Sequence, residues 1–305
     1  MKMNWTRTLT SLIAATMLLA GCDNPSGTQE LQTSRSALSP LESETISKHK
    51  LPGEQLLAVG QRGGLIFGTP DDALAHTDQP LLFTPRFVDK SGKTALLPDD
   101  LGKIASAYFL PGEDDVLFLT EDHRLTQWNG EALEVLAKGV QGPIAISPSG
   151  RFLTYLEGEE PIYSVVLRER ETNKVSSPGQ QLQGCWSPAV GDDGSVAFMS
   201  SASGYGELYL AKRGEAPVKL TTREQGQTIA VPSGPSAPLL VDGNLYFEDQ
   251  RGLHRIDLSR RGALESVLLS PGARDLVWSV GGTQAWGQRD GNLTVSELKA
   301  SGGTR

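Results

Sequence analysis

The chain has 305 residues with a formal net charge of −8; 38% of them are apolar and 6% aromatic. That length holds one large all-β domain or two small ones, and the acidity works against a nucleic-acid or anionic-lipid surface. Its 34 glycines and 18 prolines suit a fold with many turns, and two cysteines, Cys22 and Cys185, leave no disulfide framework to read.

Lys2 and Arg7 form a short basic region before the apolar run at residues 9–20. That run is too short for a comfortable membrane span and fits the core of a secretory signal. It ends in Leu19-Ala20-Gly21-Cys22. Small residues before a cysteine admit a signal peptidase after the thiol is diacylated, and the four residues match the bacterial lipobox. Residues 1–21 are therefore expected to be a lipoprotein signal peptide and Cys22 the lipidation site, its acyl chains anchoring the protein without a spanning segment. The plainer alternative is an ordinary signal peptide with an incidental cysteine. By resemblance to enteric-type lipoproteins, Asp23 implies retention at the periplasmic face of the inner membrane. From Cys22 to about Lys50 the sequence is rich in Ser, Thr, Glu and Gln without a period and reads as a flexible tether. Its alternative is that residues 38–46 supply an outer strand that closes a ring.

After Pro52 one grammar recurs: strand-length apolar bursts fenced by Gly, Asp, Ser or Pro. The first repeat has bursts at 56–59, 65–67, 81–83 and 95–97, and the second at 107–110, 116–119, 125–128 and 133–136. The third begins at 143–150 and runs through 152–156 and 163–167, and the fourth spans 184–221. The fifth has bursts at 238–241, 245–247, 253–257 and 267–269, and the sixth covers 276–280, 285–286 and 293–298. The aromatics that end each second strand, Phe67, Phe118, Tyr155, Phe198, Phe247 and Trp286, are separated by 51, 37, 43, 49 and 39 residues. A recurrence of about 40–45 residues is the period of a four-stranded propeller blade. The expected fold is therefore an all-β propeller of six four-stranded blades over residues 51–300, with a disordered tail at 301–305. The aromatics are expected between neighbouring blades, because a blade cannot bury both its faces alone.

The fourth repeat also carries a phrase. Pro188 leads through Asp192-Asp193-Gly194 into a strand ending Phe198-Met199-Ser200, then Leu208-Tyr209 and Leu220-Thr221. This resembles the TolB-like, WD40-like propeller repeat called PD40, and Ser149-Gly150 and Asp242-Gly243 mark the same turn in the third and fifth repeats. The match is weak in the first, second and sixth repeats. The resemblance implies a binding propeller in a bacterial cell envelope.

Nothing in the sequence assembles a catalytic, cofactor or metal site. The four histidines, His49, His76, His123 and His254, lack a two-histidine metal spacing. A G-x-S-x-G elbow is missing too. The pairs Asp71-Asp72, Asp99-Asp100, Asp114-Asp115 and Asp192-Asp193 lack the alternation of a calcium loop and read as turns. Cys185 beside Trp186 reads as a buried thiol, and Arg255, Arg260 and Arg261 as a solvated outer edge.

The expected function is to bind or scaffold another envelope protein or peptide, inserted into the channel where loops from many repeats converge. No cofactor and no nucleic acid are expected. The candidate partner-binding loop residues are Glu113, Asp114, Ser149, Asp193 and Asp242. The alternative is an enzyme or carbohydrate-binding propeller with its site at the channel mouth.

Overall fold

The computed structural model describes residues 48–71, 81–112, 114–159, 162–182, 184–222, 229–233, 236–259, 264–279, 281–289 and 292–298. All of these fall within one compact unit, Ser36–Arg305. The signal peptide, Cys22, Asp23, most of the tether, Glu113, Arg260 and Arg261 lie outside the described residues.

Twenty-three strands are described. β1 (Gln55–Val59), β2 (Leu65–Pro70), β3 (Phe83–Val88) and β4 (Thr94–Ala95) come from the first repeat. The second gives β5 (Ile104–Phe109), β6 (Val116–Thr120), β7 (Arg124–Trp128) and β8 (Leu133–Lys138). The third gives β9 (Val140–Ile146), β10 (Phe152–Glu159), β11 (Ile162–Glu169) and β12 (Lys174–Ser176), and the fourth β13 (Cys185–Val190), β14 (Val196–Ser200), β15 (Glu207–Ala211) and β16 (Val218–Lys219). The fifth gives β17 (Leu239–Val241), β18 (Asn244–Asp249), β19 (Gly252–Asp257) and β20 (Ser266–Pro271), and the last β21 (Arg274–Trp278), β22 (Gln284–Arg289) and β23 (Asn292–Glu297). Within each repeat the chain meanders antiparallel. The local cause is visible at β14. Its five residues are all buried, and Gly194 supplies the positive φ of +76° that the preceding turn requires.

The expected count of six four-stranded blades is corrected. Four sheets stand alone, β9–β12, β13–β16 and β17–β20 with four strands each and β21–β23 with three, while β1–β8 form one eight-stranded sheet. The join is a single pair, Phe83 with Ile104. It forms because β4 is two residues long and covers only Phe87 and Val88 of β3, so the start of β3 is an open edge that β5 meets.

Consecutive repeats pack face to face, and the second strand of each sends alternate residues into the layers on its two sides. Phe118 faces the first repeat and Leu117 the third, and Phe198 faces the third repeat while Ala197 faces the fifth. The aromatic residues from Phe67 to Phe247 each face the preceding repeat, where Phe67 meets the last. Trp286 differs: it turns forward onto the first repeat, against Leu56, Leu65, Phe67 and Val88, and Ala285 takes the backward-facing place. That layer closes the ring.

Candidate functional site

The first strands of the repeats lie innermost. β1 packs against β5 and β21, and β13 against β9 and β17. Two side-chain bonds complete the circle: the Ile144 amide of β9 donates to the Tyr108 hydroxyl of β5 (3.2 Å), and Trp278 Nε1 of β21 donates to the Ala237 carbonyl just before β17 (2.6 Å).

These strands surround a channel of about 810 Å³. Its wall is largely apolar, with Leu56, Ala58, Ala105, Ile144, Leu276 and Trp278 among its residues. Register breaks recur in the inner strands, between Leu56 and Ala58, Ile104 and Ser106, Trp186 and Ala189, and Arg274 and Val277. The β9 edge breaks likewise, where Ala145 and Gln141 face nearly adjacent residues of β10. Such bulges release a backbone amide from its ladder and re-aim side chains. The released amides find partners in neighbouring repeats: that of Ile144 has Tyr108, and that of Leu276 donates to Glu248 Oε2 (3.2 Å). Asp275, inside the last bulge, has a φ of +51°.

Glu248 is the buried acid behind this wall, 3% exposed. Ser236 Oγ lies 3.4 Å from its Oε2 and 2.7 Å from the Leu276 carbonyl. A hydroxyl has one proton, and the shorter contact to a carbonyl claims it. Burial pushes the Glu248 carboxyl above its ordinary range, the Leu276 amide pulls it partly back, and the neighbouring Asp275 carboxylate adds to the push.

The two ends of the channel differ. One end is ringed by the turns joining first to second strands, whose described residues are 60–64, 110–112, 114–115, 147–151, 191–195, 242–243, 279 and 281–283. Here Arg62 binds Asp114 (3.1 Å) and the Gly112 carbonyl, and the Ser149 amide donates to Asp192 Oδ1 (2.8 Å). These bonds tie the first repeat to the second and the third to the fourth. The other end is formed by the connections between repeats and the turns after each second strand.

All the described sequence-predicted loop residues, Asp114, Ser149, Asp193 and Asp242, sit in the first-to-second-strand turns, and none lines the channel. Asp114 pairs with Arg62, and Ser149 borders a separate cleft with Arg151, Arg168 and Arg170. Asp193 accepts from the Ser195 amide (2.9 Å) and hydroxyl (2.8 Å), a turn-forming role, and Asp242 holds a φ of +48° beside Gly243. The ionisable residues that do line the channel, Glu121, His123 and Asp275 besides Tyr108, were not picked out as site residues in the sequence. Their signal is positional: Glu121 and His123 fill the turn after β6, and Asp275 opens an inner strand. Among the described residues no three His, Cys, Asp or Glu side chains converge as metal ligands would. Cys185 is a buried free thiol whose burial pushes its pKa up.

The protein is thus a β-propeller with an apolar central channel. No protein-family model matches the chain, and no curated protein matches it in sequence. Solved structures share its fold at low identity. A candidate TolB from Agrobacterium tumefaciens is 12% identical, with 84% of this chain and 96% of that one covered and a TM-score of 0.50. A gluconolactonase from Xanthomonas campestris is 14% identical over 81% of this chain and 88% of that one, with a TM-score of 0.50. An oligogalacturonate lyase in complex with manganese is 13% identical over 79% and 74%, with a TM-score of 0.51. At such identities the likeness is one of fold, and two of these three carry the names of enzymes.

Proposed function

We propose that this protein is a lipid-anchored envelope propeller that holds a segment of another envelope protein or peptide in its channel. In this reading residues 1–21 are a signal peptide, Cys22 carries the lipid, residues 22–50 are a tether, 51–300 are the propeller and 301–305 a tail. Asp23 favours the periplasmic face of the inner membrane. The observation that carries the reading is the channel wall: a cavity of about 810 Å³ with aliphatic and aromatic lining suits an extended apolar segment. It supports a binder over the enzymatic or sugar-binding alternative, because most of the wall is aliphatic or aromatic and its few carboxyl and imidazole groups are confined to one mouth.

The test is capture of partners from crosslinked envelopes by the wild-type chain and by Ala105→Trp, which fills the channel from β5. Loss of captured protein at an unchanged melting temperature supports the reading, and equal capture by both rejects it. Cys22→Ser tests the anchor. Signal-cleaved protein is expected in the soluble fraction, and its retention in membranes after a high-salt wash would reject lipidation as the anchor.

A further inference from the structure

The charge in the channel lies at one mouth. Glu121 and His123, from the turn after β6, and Asp275, at the start of β21, line it at the end formed by the connections between repeats. The lining at the opposite end, from Pro111 and Ser147 to Ser279 and Gly282, carries no ionisable group among the described residues.

The hydrogen-bonding character of these groups follows from their surroundings. His123 Nδ1 lies 3.2 Å from the Val140 carbonyl. A carbonyl only accepts, so Nδ1 is the donor in this contact and Nε2 is left toward the mouth. Glu121 and Asp275 are exposed carboxylates. The cations nearest in the chain have ion-pair or carbonyl partners of their own, although Lys103, beside Glu121, also feels that carboxylate. Lys103 pairs with Asp71, Arg124 with Asp122 at 2.6 Å, and Arg274 donates to the carbonyls of Asp249 and Gln250. The mouth therefore presents acceptors to whatever enters, in front of an apolar wall.

We infer that the channel takes an apolar peptide segment bearing a lysine, an arginine or a free amino terminus, seated with its cation at the Glu121–Asp275 mouth and its apolar side chains along the wall. This rests on the channel-binding reading above and adds orientation and chemistry to it. The cavity supplies the affinity through buried apolar area, and the carboxylates supply register and selection by sign.

The experiment uses the full-length protein in detergent with a pool of Trp- and Leu-containing pentapeptides. Each carries Lys, norleucine or Glu at its first position, with both termini blocked, and bound peptide is counted by mass spectrometry after equilibrium dialysis. The Lys set is expected to bind best and the Glu set worst. Glu121→Gln and Asp275→Asn are each expected to weaken the Lys set about threefold, leaving the norleucine set unchanged. The Lys preference should also shrink as salt rises. Equal binding of the three sets, abolished by Ala105→Trp but indifferent to both charge variants, overturns the cation at the mouth and leaves channel binding standing. Absence of binding by every set, or binding that Ala105→Trp does not touch, overturns both.

Discussion

Two seams of the ring are built from opposite materials. Between the third and fourth repeats, Phe152, Val165, Val196, Phe198 and Tyr209 form a dry layer, with Phe198 and Tyr209 stacked at 5.9 Å. Its rim is an ionic clamp: Arg151 and Arg213, one from each repeat, both bind Glu169 (2.6 and 2.8 Å) and both lie over the Phe152 ring. Between the fifth and sixth repeats the apolar layer encloses an acid, Glu248, which accepts from the released amide of Leu276. Strand β17, at that seam, is three residues long. The first seam is fixed by packing and an ionic rim, whereas the second is packed around a buried carboxyl whose burial raises its affinity for a proton.

The sharpest way to break this contrast is Phe198→Ala. It empties a fully buried aromatic position, and the expected loss is about 3–5 kcal/mol in denaturant unfolding. A loss below about 1 kcal/mol would show that the dry seam is not where stability concentrates. Next in size is Gly194→Val, in the turn behind that seam. A β-branched residue at a φ of +76° is expected to cost about 1–2 kcal/mol, and its Cβ would also press on Phe152 and Arg213. An unchanged melting temperature would reject the turn geometry.

The polar seam yields a pH signature. Because the folded Glu248 carboxyl titrates above its unfolded value, the folded state binds this proton more tightly. The group's contribution is fully present below the unfolded pKa and is lost as pH rises through the folded one. Glu248→Gln keeps an acceptor for the Leu276 amide and removes the charge. It is expected to raise the melting temperature at pH 8 relative to wild type and leave it unchanged at pH 4. The same shift at both pH values would mean that charge is not the issue. The smallest effect belongs to the turn rim. Arg62 and Asp114 are 58% and 67% exposed, so Arg62→Ala should change stability by no more than about 0.5 kcal/mol, with a similarly small coupling to Asp114→Ala.

Much of the architecture was legible because it is local. Short apolar bursts between Gly, Asp and Ser become strands, and the aromatics from Phe67 to Phe247 mark the layers between repeats. Trp286 also lies in such a layer, but it stands one position beyond the backward-facing place and so turns toward the first repeat. The fusion of the first two repeats was invisible because it depends on how far β4 extends, a matter of a few residues with no composition signal. The channel was harder still. Asp114, Asp193 and Asp242 are conspicuous beside glycines, yet that conspicuousness belongs to turn chemistry, and their turns lie outside the channel lining. Glu121 and His123 share one turn of the second repeat while Asp275 comes from the last, and no short-range pattern couples the two places. Glu113 lies outside the described residues.

The layer that shuts the ring has a kinetic meaning. β1 hydrogen-bonds to β2 and β23 to β22, so the described ends of the ring exchange no strand and meet only through side chains such as Phe67, Val88, Val295 and Trp286. Every other layer joins neighbours in sequence, whereas this one brings together residues about 200 positions apart. Closing so long a loop carries an entropy cost that grows only slowly with its length, and that cost falls on a single contact layer. Folding should therefore proceed repeat by repeat and clasp last. Unfolding should start by opening that clasp, with the amides of β1 and β23 exchanging with solvent before those of β14.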